Sequence, residues 1–319
     1  MGCSNNSINV KQFNQFKNIL TIEKYNPELN EDFGAICFYE LNKNKFLISY
    51  QNNIIVIYDK INIKPIFEIQ LTFTVNSILK LKNGNYILGG DYGEVQIISI
   101  NLDSNTYEIL KSINLNYNVS KILQYKDQYI IASFKQILFY NINDKNELSI
   151  LKQYDDHLPQ IDIFNIFITG NLLLSFAYGQ EVNNKNEIII YNLINETIVF
   201  KRSNASVMAW NNTVCQFNSN ILAISGNLCE ISLFDLKTFH VLIQIKDIDF
   251  FFSVIVLKNK ILCGSDSGIL YEYEYNAEEN KLKEVYKEKI HDSSIFSITR
   301  TSLGELVTTS RDGKIKFFK

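Results

Sequence analysis

The sequence predicts an all-β fold, built from seven repeats of one strand-rich unit and closed into a ring by its own two ends. Three observations carry that expectation: the composition, a phrase that recurs about every 43 residues, and a strand-like segment left over near the start of the chain. Of the 319 residues, 47 are Ile and 39 Asn, against 3 Pro and 13 Gly. A β-branched residue suited to a pleated, half-buried surface thus dominates the apolar vocabulary, while a turn-tolerant amide fills the connections. An AT-rich genome would write the same Asn and Lys surplus. Asn therefore carries no functional weight, and the acceptor triplets Asn118-Val119-Ser120, Asn195-Glu196-Thr197 and Asn204-Ala205-Ser206 are what chance supplies.

The recurring phrase is an apolar strand, a second short strand, a tight turn, and an alternating third strand ending in a large apolar residue followed by a polar one. In chain order the third strands are Asn53–Asp59, Glu94–Ser99, Gln136–Asn141, Glu187–Asn192, Glu230–Asp235, Ile269–Glu274 and Lys314–Lys319. Their penultimate residues, Tyr58, Ile98, Tyr140, Tyr191, Phe234, Tyr273 and Phe318, are separated by steps of 40, 42, 51, 43, 39 and 45. That period matches the ~40–45 residues of a propeller blade, so the expected architecture is a seven-bladed β-propeller. The last blade stops on its third strand at Lys319, and Phe13–Glu23 is the unassigned strand-like segment. It is expected to complete blade seven and remove the open edges of an unclosed array. Residues 1–11 are then a tether and residues 12–319 a single domain. The 51-residue step holds a polar insertion, Tyr178–Asn186, in blade four; a loop longer than its repeats need is either functional or tolerated.

These residues resemble the WD40-repeat family, in which the third strand of each blade closes on Trp-Asp; Tyr58-Asp59 and Phe234-Asp235 come nearest. The last blade matches best. His291, Thr308, Asp312 and Phe318 fall where the family places a hydrogen-bonded His, Ser/Thr, Asp and Trp, although Phe318 has no N–H to donate, so the set is at most three-membered. Elsewhere the turn Asp is replaced by Asn52, Tyr92, Phe134, Leu228 or Ser267, and those blades must rely on apolar packing and ladder hydrogen bonds. The resemblance implies a non-catalytic interaction scaffold for a protein or peptide partner, a monomeric ring working inside a larger complex. It also implies a binding face made of the fourth-to-first and second-to-third strand loops. Mapped here, that face includes Tyr92, Phe134, His157, Tyr178, Arg202, Asp249, Asp266 and Arg311, with aromatic and Arg members expected to dominate.

Other chemistries find little support. With 31 basic and 34 acidic residues, and all but three of the basic ones Lys, bulk charge offers neither a nucleic-acid footprint nor a basic membrane face. The three histidines fall in different blades, and no zinc-protease, nucleophile-elbow or P-loop motif is present. Gly89–Gly93 reads as a turn rather than a phosphate cradle. Catalytic residues, cofactors and metals are not expected, and an enzyme reading survives only as a site around the central channel. Phe200-Lys201-Arg202-Ser203 is a poor echo of a phosphoinositide motif, since Lys lacks the bidentate fork of Arg. Trp210 reads as packing more than as a hot spot. Five scattered cysteines form no disulfide framework or C-x-x-C pair. No secretory leader precedes the repeats, so a cytoplasmic protein is expected. The start Met1-Gly2-Cys3 leaves one alternative open: acylation at Gly2 and Cys3 (myristate and palmitate) would make the chain a membrane-associated adaptor at the cytoplasmic face, although the sixth position is Asn6 and the serine comes one place late at Ser7.

Overall fold

The structure, a computed structural model, describes residues 16–23, 33–179, 185–205, 209, 212–226, 229–246 and 249–319. The tether, Gly2, Cys3 and Trp210 lie outside them. Among the described residues 28 strands form seven antiparallel four-stranded sheets. We letter the strands of each blade a to d, from the ring axis outwards. Blade one is Ala35–Asn42, Lys45–Tyr50, Ile54–Asp59 and Lys64–Gln70, and the next five blades repeat that order. Blade seven takes Ile295–Arg300, Leu306–Ser310 and Ile315–Phe318 from one end of the chain and Asn18–Ile22 from the other. The splice pairs Asn18 with Phe318 and, after a bulge at Ile19, runs in register from Leu20 opposite Phe317 to Ile22 opposite Ile315.

Burial explains the sequence pattern. Strands b and c are covered on both faces by neighbouring blades, so they read as continuous apolar runs; Lys45–Tyr50 is buried from its second residue to its last. Strand d is outermost and exposed, as in Thr106–Asn114, which is why Glu and Lys interrupt it. Seven apolar clusters fill the seven gaps between blades. The one that closes the ring sets Val307, Ile315 and Phe317 of blade seven against Phe46, Ile48, Val56 and Tyr58 of blade one, each fully buried side chain stabilising by on the order of 2 kcal/mol.

Two bulges recur. The large apolar residue ending strand c (Tyr58, Ile98, Tyr140, Tyr191, Phe234 and Tyr273) sits in each case at a register shift between strands c and d. A second bulge comes just after the start of strand a, at Ile36, Asn76, Ser120, Phe164, Phe252 and Phe296. An extra residue at such a point leaves the ladder and is aimed away from it.

Two expectations change in detail. In blade four Tyr178 pairs with Asn186 and Gly179 with Lys185, so both ends of the expected insertion are strand, and residues 180–184 lie outside the described residues. Gly89 and Gly90 end strand b of blade two, and only Asp91–Gly93 forms the turn. Gly90 is required by close approach, because a Cβ there would fall 1.8 Å from the Thr74 carbonyl oxygen.

Candidate functional site

The d–a and b–c connections meet at one end of the ring. In five blades the N–H at the b–c turn donates to a carbonyl of the adjoining d–a connection (Gln51 to Gly34, Asp91 to Thr74, Phe134 to Asn118, Asp266 to Phe250 and Arg311 to Ser294), and in blade five Ser225 near the end of strand b donates to Thr213, all at 2.8–3.0 Å. These bonds stiffen a rim around the axis.

Inside the rim lies a funnel of about 260 Å³. All six bulged residues of strand a line it, with Gln51, Phe134 and Asn212. Its walls are aromatic on two sides, where Phe134 packs on Phe164 with ring centroids 5.1 Å apart and Phe252 meets Phe296 edge-on at 5.7 Å. Between them stand the amides and the hydroxyl of Gln51, Asn76, Asn212 and Ser120. Asn76 donates to Asp91 Oδ1 at 3.0 Å, which fixes its orientation. Among the described residues no charged side chain lines the funnel. Beneath it, Lys121 Nζ donates to Asn212 Oδ1 at 3.0 Å and Asn212 Nδ2 donates to the Phe296 carbonyl at 3.4 Å, a bridge that crosses the axis from blade three to blade seven. Burial pushes the Lys121 ammonium down to about 8, with only Cys37 acting in the other direction.

The face residues read from sequence divide into groups. Phe134 is in the funnel wall, and Tyr178 supports it, its ring 6.4 Å from that of Phe164. Tyr92 stands on the rim, 72% exposed, with a left-handed φ of 58° that is unusual for a bulky residue. Its N–H donates to Asn118 Oδ1 at 2.8 Å and its carbonyl accepts from Asn114 Nδ2 at 2.9 Å, so the backbone is clamped and the ring presented. Tyr117 and Phe250 are exposed on the same rim. Asp249 accepts from Ser267 Oγ and Asp266 from Ser294 Oγ, while Arg311 is exposed on the blade-seven turn. Arg202 is exposed on the outermost strand of blade four, opposite Ile188, and does not line the funnel.

His157 is corrected by the structure. It is buried, with Nδ1 2.8 Å from Glu187 Oε2 and Nε2 2.7 Å from Ser175 Oγ, while Ser203 Oγ donates to Glu187 Oε1 at 2.8 Å. Burial lowers the imidazole, holding it neutral. Burial would raise the Glu187 carboxyl, but the hydrogen bonds from His157 and Ser203 bring it down to about 2. A neutral ring donating to the carboxylate from Nδ1 and accepting the serine proton at Nε2 satisfies all three groups. The composition is that of a hydrolytic triad, yet Ser175 is completely buried and beyond a substrate's reach, so the set pins blade four. The blade-seven set has the same form: His291 Nδ1 lies 3.0 Å from Asp312 Oδ2 and Nε2 lies 2.8 Å from Thr308 Oγ1, while Phe318 packs in the apolar cluster between blades six and seven. Among the described residues no group of three His, Cys, Asp or Glu side chains is placed to hold a metal.

No family model matches the sequence, and no curated protein matches it. Among solved structures the fold is similar to the WD40 β-propeller domain of Doa1, with a TM-score of 0.71, 14% identity, and 96% of this chain and 98% of that one covered. It is also similar to a chain of the mitotic checkpoint complex, with a TM-score of 0.73, 15% identity, and 100% of this chain and 96% of that one covered. The fold is a WD40-like seven-bladed β-propeller.

Proposed function

We propose that this protein is a non-catalytic interaction scaffold that receives a protein or peptide partner on its funnel face. The observation that carries the reading is the conjunction, at one end of the axis, of an uncharged aromatic funnel and a hydrogen-bonded rim presenting Tyr92, Tyr117 and Phe250. Aromatic side chains held rigid around a concave apolar site are what interface hot spots are made of. The checkpoint-complex neighbour is a propeller found in an assembly, which agrees with a scaffold role. The two His–carboxylate–hydroxyl sets are spent on blade geometry, which leaves them no catalytic duty.

The test is affinity capture from the native cell through a tag after Lys319, with Tyr92→Asn and Phe252→Ala as face variants. Loss of a stoichiometric partner in both variants, with unchanged thermal melting, is the expected result. Retention of the same partner by both would remove the funnel face from the proposal.

The acylated alternative rests on the Gly2-Cys3 start. Gly2→Ala with unaltered membrane partition would rule it out.

A further inference from the structure

We infer that the funnel is built to take a glutamate side chain of a partner peptide, with the aliphatic stem against Phe134, Phe164, Phe252 and Phe296 and the carboxylate on the Lys121 ammonium. The inference rests on the reading of this face as the partner-binding site.

Charge is the first argument. Lys121 is half-buried, and an ammonium partly withdrawn from water gains from an anion brought within its reach. Among the described residues no carboxylate lies within ion-pairing distance of Lys121, and the one hydrogen bond from its three donors goes to Asn212. Its other ionisable neighbour, Cys37, is kept as the neutral thiol by burial. Among the described residues a half-buried cation thus lies under the funnel without a carboxylate to balance it.

The second argument is the shape of the missing anion. One lysine with no arginine beside it balances a single negative charge; a phosphate dianion would leave one charge over. The Lys121–Asn212–Phe296 bridge crosses the axis, so a peptide cannot thread through and must insert a side chain from above. A space of about 260 Å³ holds one such side chain with part of a neighbour. Lys121 follows Ser120 and lies below the ring of bulged residues, so the anion must come on a stem long enough to pass the phenyl rings. Those rings favour methylene groups along the stem. Glutamate has the charge and the reach; aspartate is a methylene shorter.

The test uses the full-length chain and five pools of acetylated, amidated heptapeptides, randomised except for a central Glu, Gln, Asp, Lys or phosphoserine, with a sixth pool carrying a free C-terminal carboxylate and no fixed Glu. The wild type should retain the central-Glu pool at least tenfold better than the Gln pool, with Asp between them. Lys121→Met should reduce the Glu preference to within twofold, and Phe252→Ala should weaken the Glu pool on either background. Lys121→Gln repeats the measurement should the Met variant fail to fold. Equal retention of Glu and Gln, a Glu preference that survives loss of Lys121, or stronger retention of the phosphoserine, Lys or free-carboxylate pool overturns the inference. If some pool binds through Phe252 without a carboxylate preference, the funnel remains a peptide site and the glutamate assignment alone falls. If no pool binds, the inference falls; if partner capture is then also insensitive to Phe252→Ala, the reading of the face falls with it.

Discussion

Replacing Glu187 by alanine tests whether the blade-four hydrogen-bonded set is a structural lock. The carboxylate is fully buried and accepts from His157 Nδ1 and Ser203 Oγ at 2.8 Å and from the Leu158 N–H at 3.2 Å. Its removal leaves the His157 and Leu158 donors without an acceptor, each costing about 1–3 kcal/mol if nothing replaces it, while the exposed Ser203 hydroxyl can turn to water. Some of that returns as the cavity relaxes. A loss of about 3 kcal/mol in the free energy of unfolding follows. Urea unfolding followed by circular dichroism measures it, and a cycle with His157→Ala isolates the pair, with a coupling on the order of 2 kcal/mol expected. Acid gives an independent check. Because the folded carboxyl sits at about 2 and the unfolded one near 4.3, its contribution is complete above the unfolded value and disappears as pH falls through the folded one. The wild-type advantage should therefore close between about pH 4 and pH 2. A loss under about 1 kcal/mol, well below the range for a broken buried pair, or a gap that persists unchanged at pH 2, would refute the lock.

Glu230 occupies the corresponding place at the start of strand c in blade five, without an imidazole partner. Burial holds its carboxyl at about 7, Gln244 reaches only Oε2, and among the described residues Oε1 has no partner. Wild-type stability should thus fall as pH rises from about 4.3, where the unfolded chain ionises, to about 7, and Glu230→Gln should be more stable at pH 8 by on the order of 2 kcal/mol, as thermal melts at the two pH values would show. Lys121→Met should be at least as stable as the wild type at pH 7, and the difference should shrink between about pH 8 and pH 10.4, because the folded ammonium releases its proton before the unfolded one; a destabilised Met variant would show that the ammonium is compensated. Tyr92→Asn suits the left-handed backbone better than tyrosine does, so stability should hold or rise by about 0.5 kcal/mol while partner binding, read by surface plasmon resonance, weakens about tenfold, as expected for an aromatic hot spot. Unchanged binding would move the contact surface off blade two.

The ring itself was legible because its causes are local and repeat. Alternation and an apolar–polar close at the end of strand c depend on the nearest neighbours in the sheet, and burial between blades enforces them seven times. Closure was legible for the complementary reason: Lys319 left a sheet one strand short and Asn18–Ile22 left a strand without a sheet. The sets that pin blades were legible only in part. His291 could be found because Asp312 keeps its place in the Asp-Gly turn. His157 could not, since its carboxylate has moved from the turn to strand c, where the longer glutamate side chain of residue 187 reaches the imidazole. A His about one strand upstream of a buried serine, followed by Glu at the head of strand c, was the available signal, and nothing local distinguished it from a rim histidine.

The funnel was hidden for a deeper reason. Its lining comes from bulges, and a bulged residue is released from the alternation by which strands are recognised. Ile36, Asn76, Ser120, Phe164, Phe252 and Phe296 hold equivalent positions, yet only the three phenylalanines share a chemistry. The same release lets the lining vary without disturbing the core. The seven gaps between blades demand apolar side chains of fitting volume, whereas the inner bulges demand only that a side chain point into the axis. A ring with six such positions can exchange phenyl for amide at its mouth while Val307, Ile315 and Phe317 go on closing it against blade one. In this chain the exchange has produced two aromatic walls, an amide cluster and a cation beneath them. That combination contributes little to closure, and its uncompensated ammonium opposes stability, so its chemistry is better explained by what enters the funnel than by the fold that carries it.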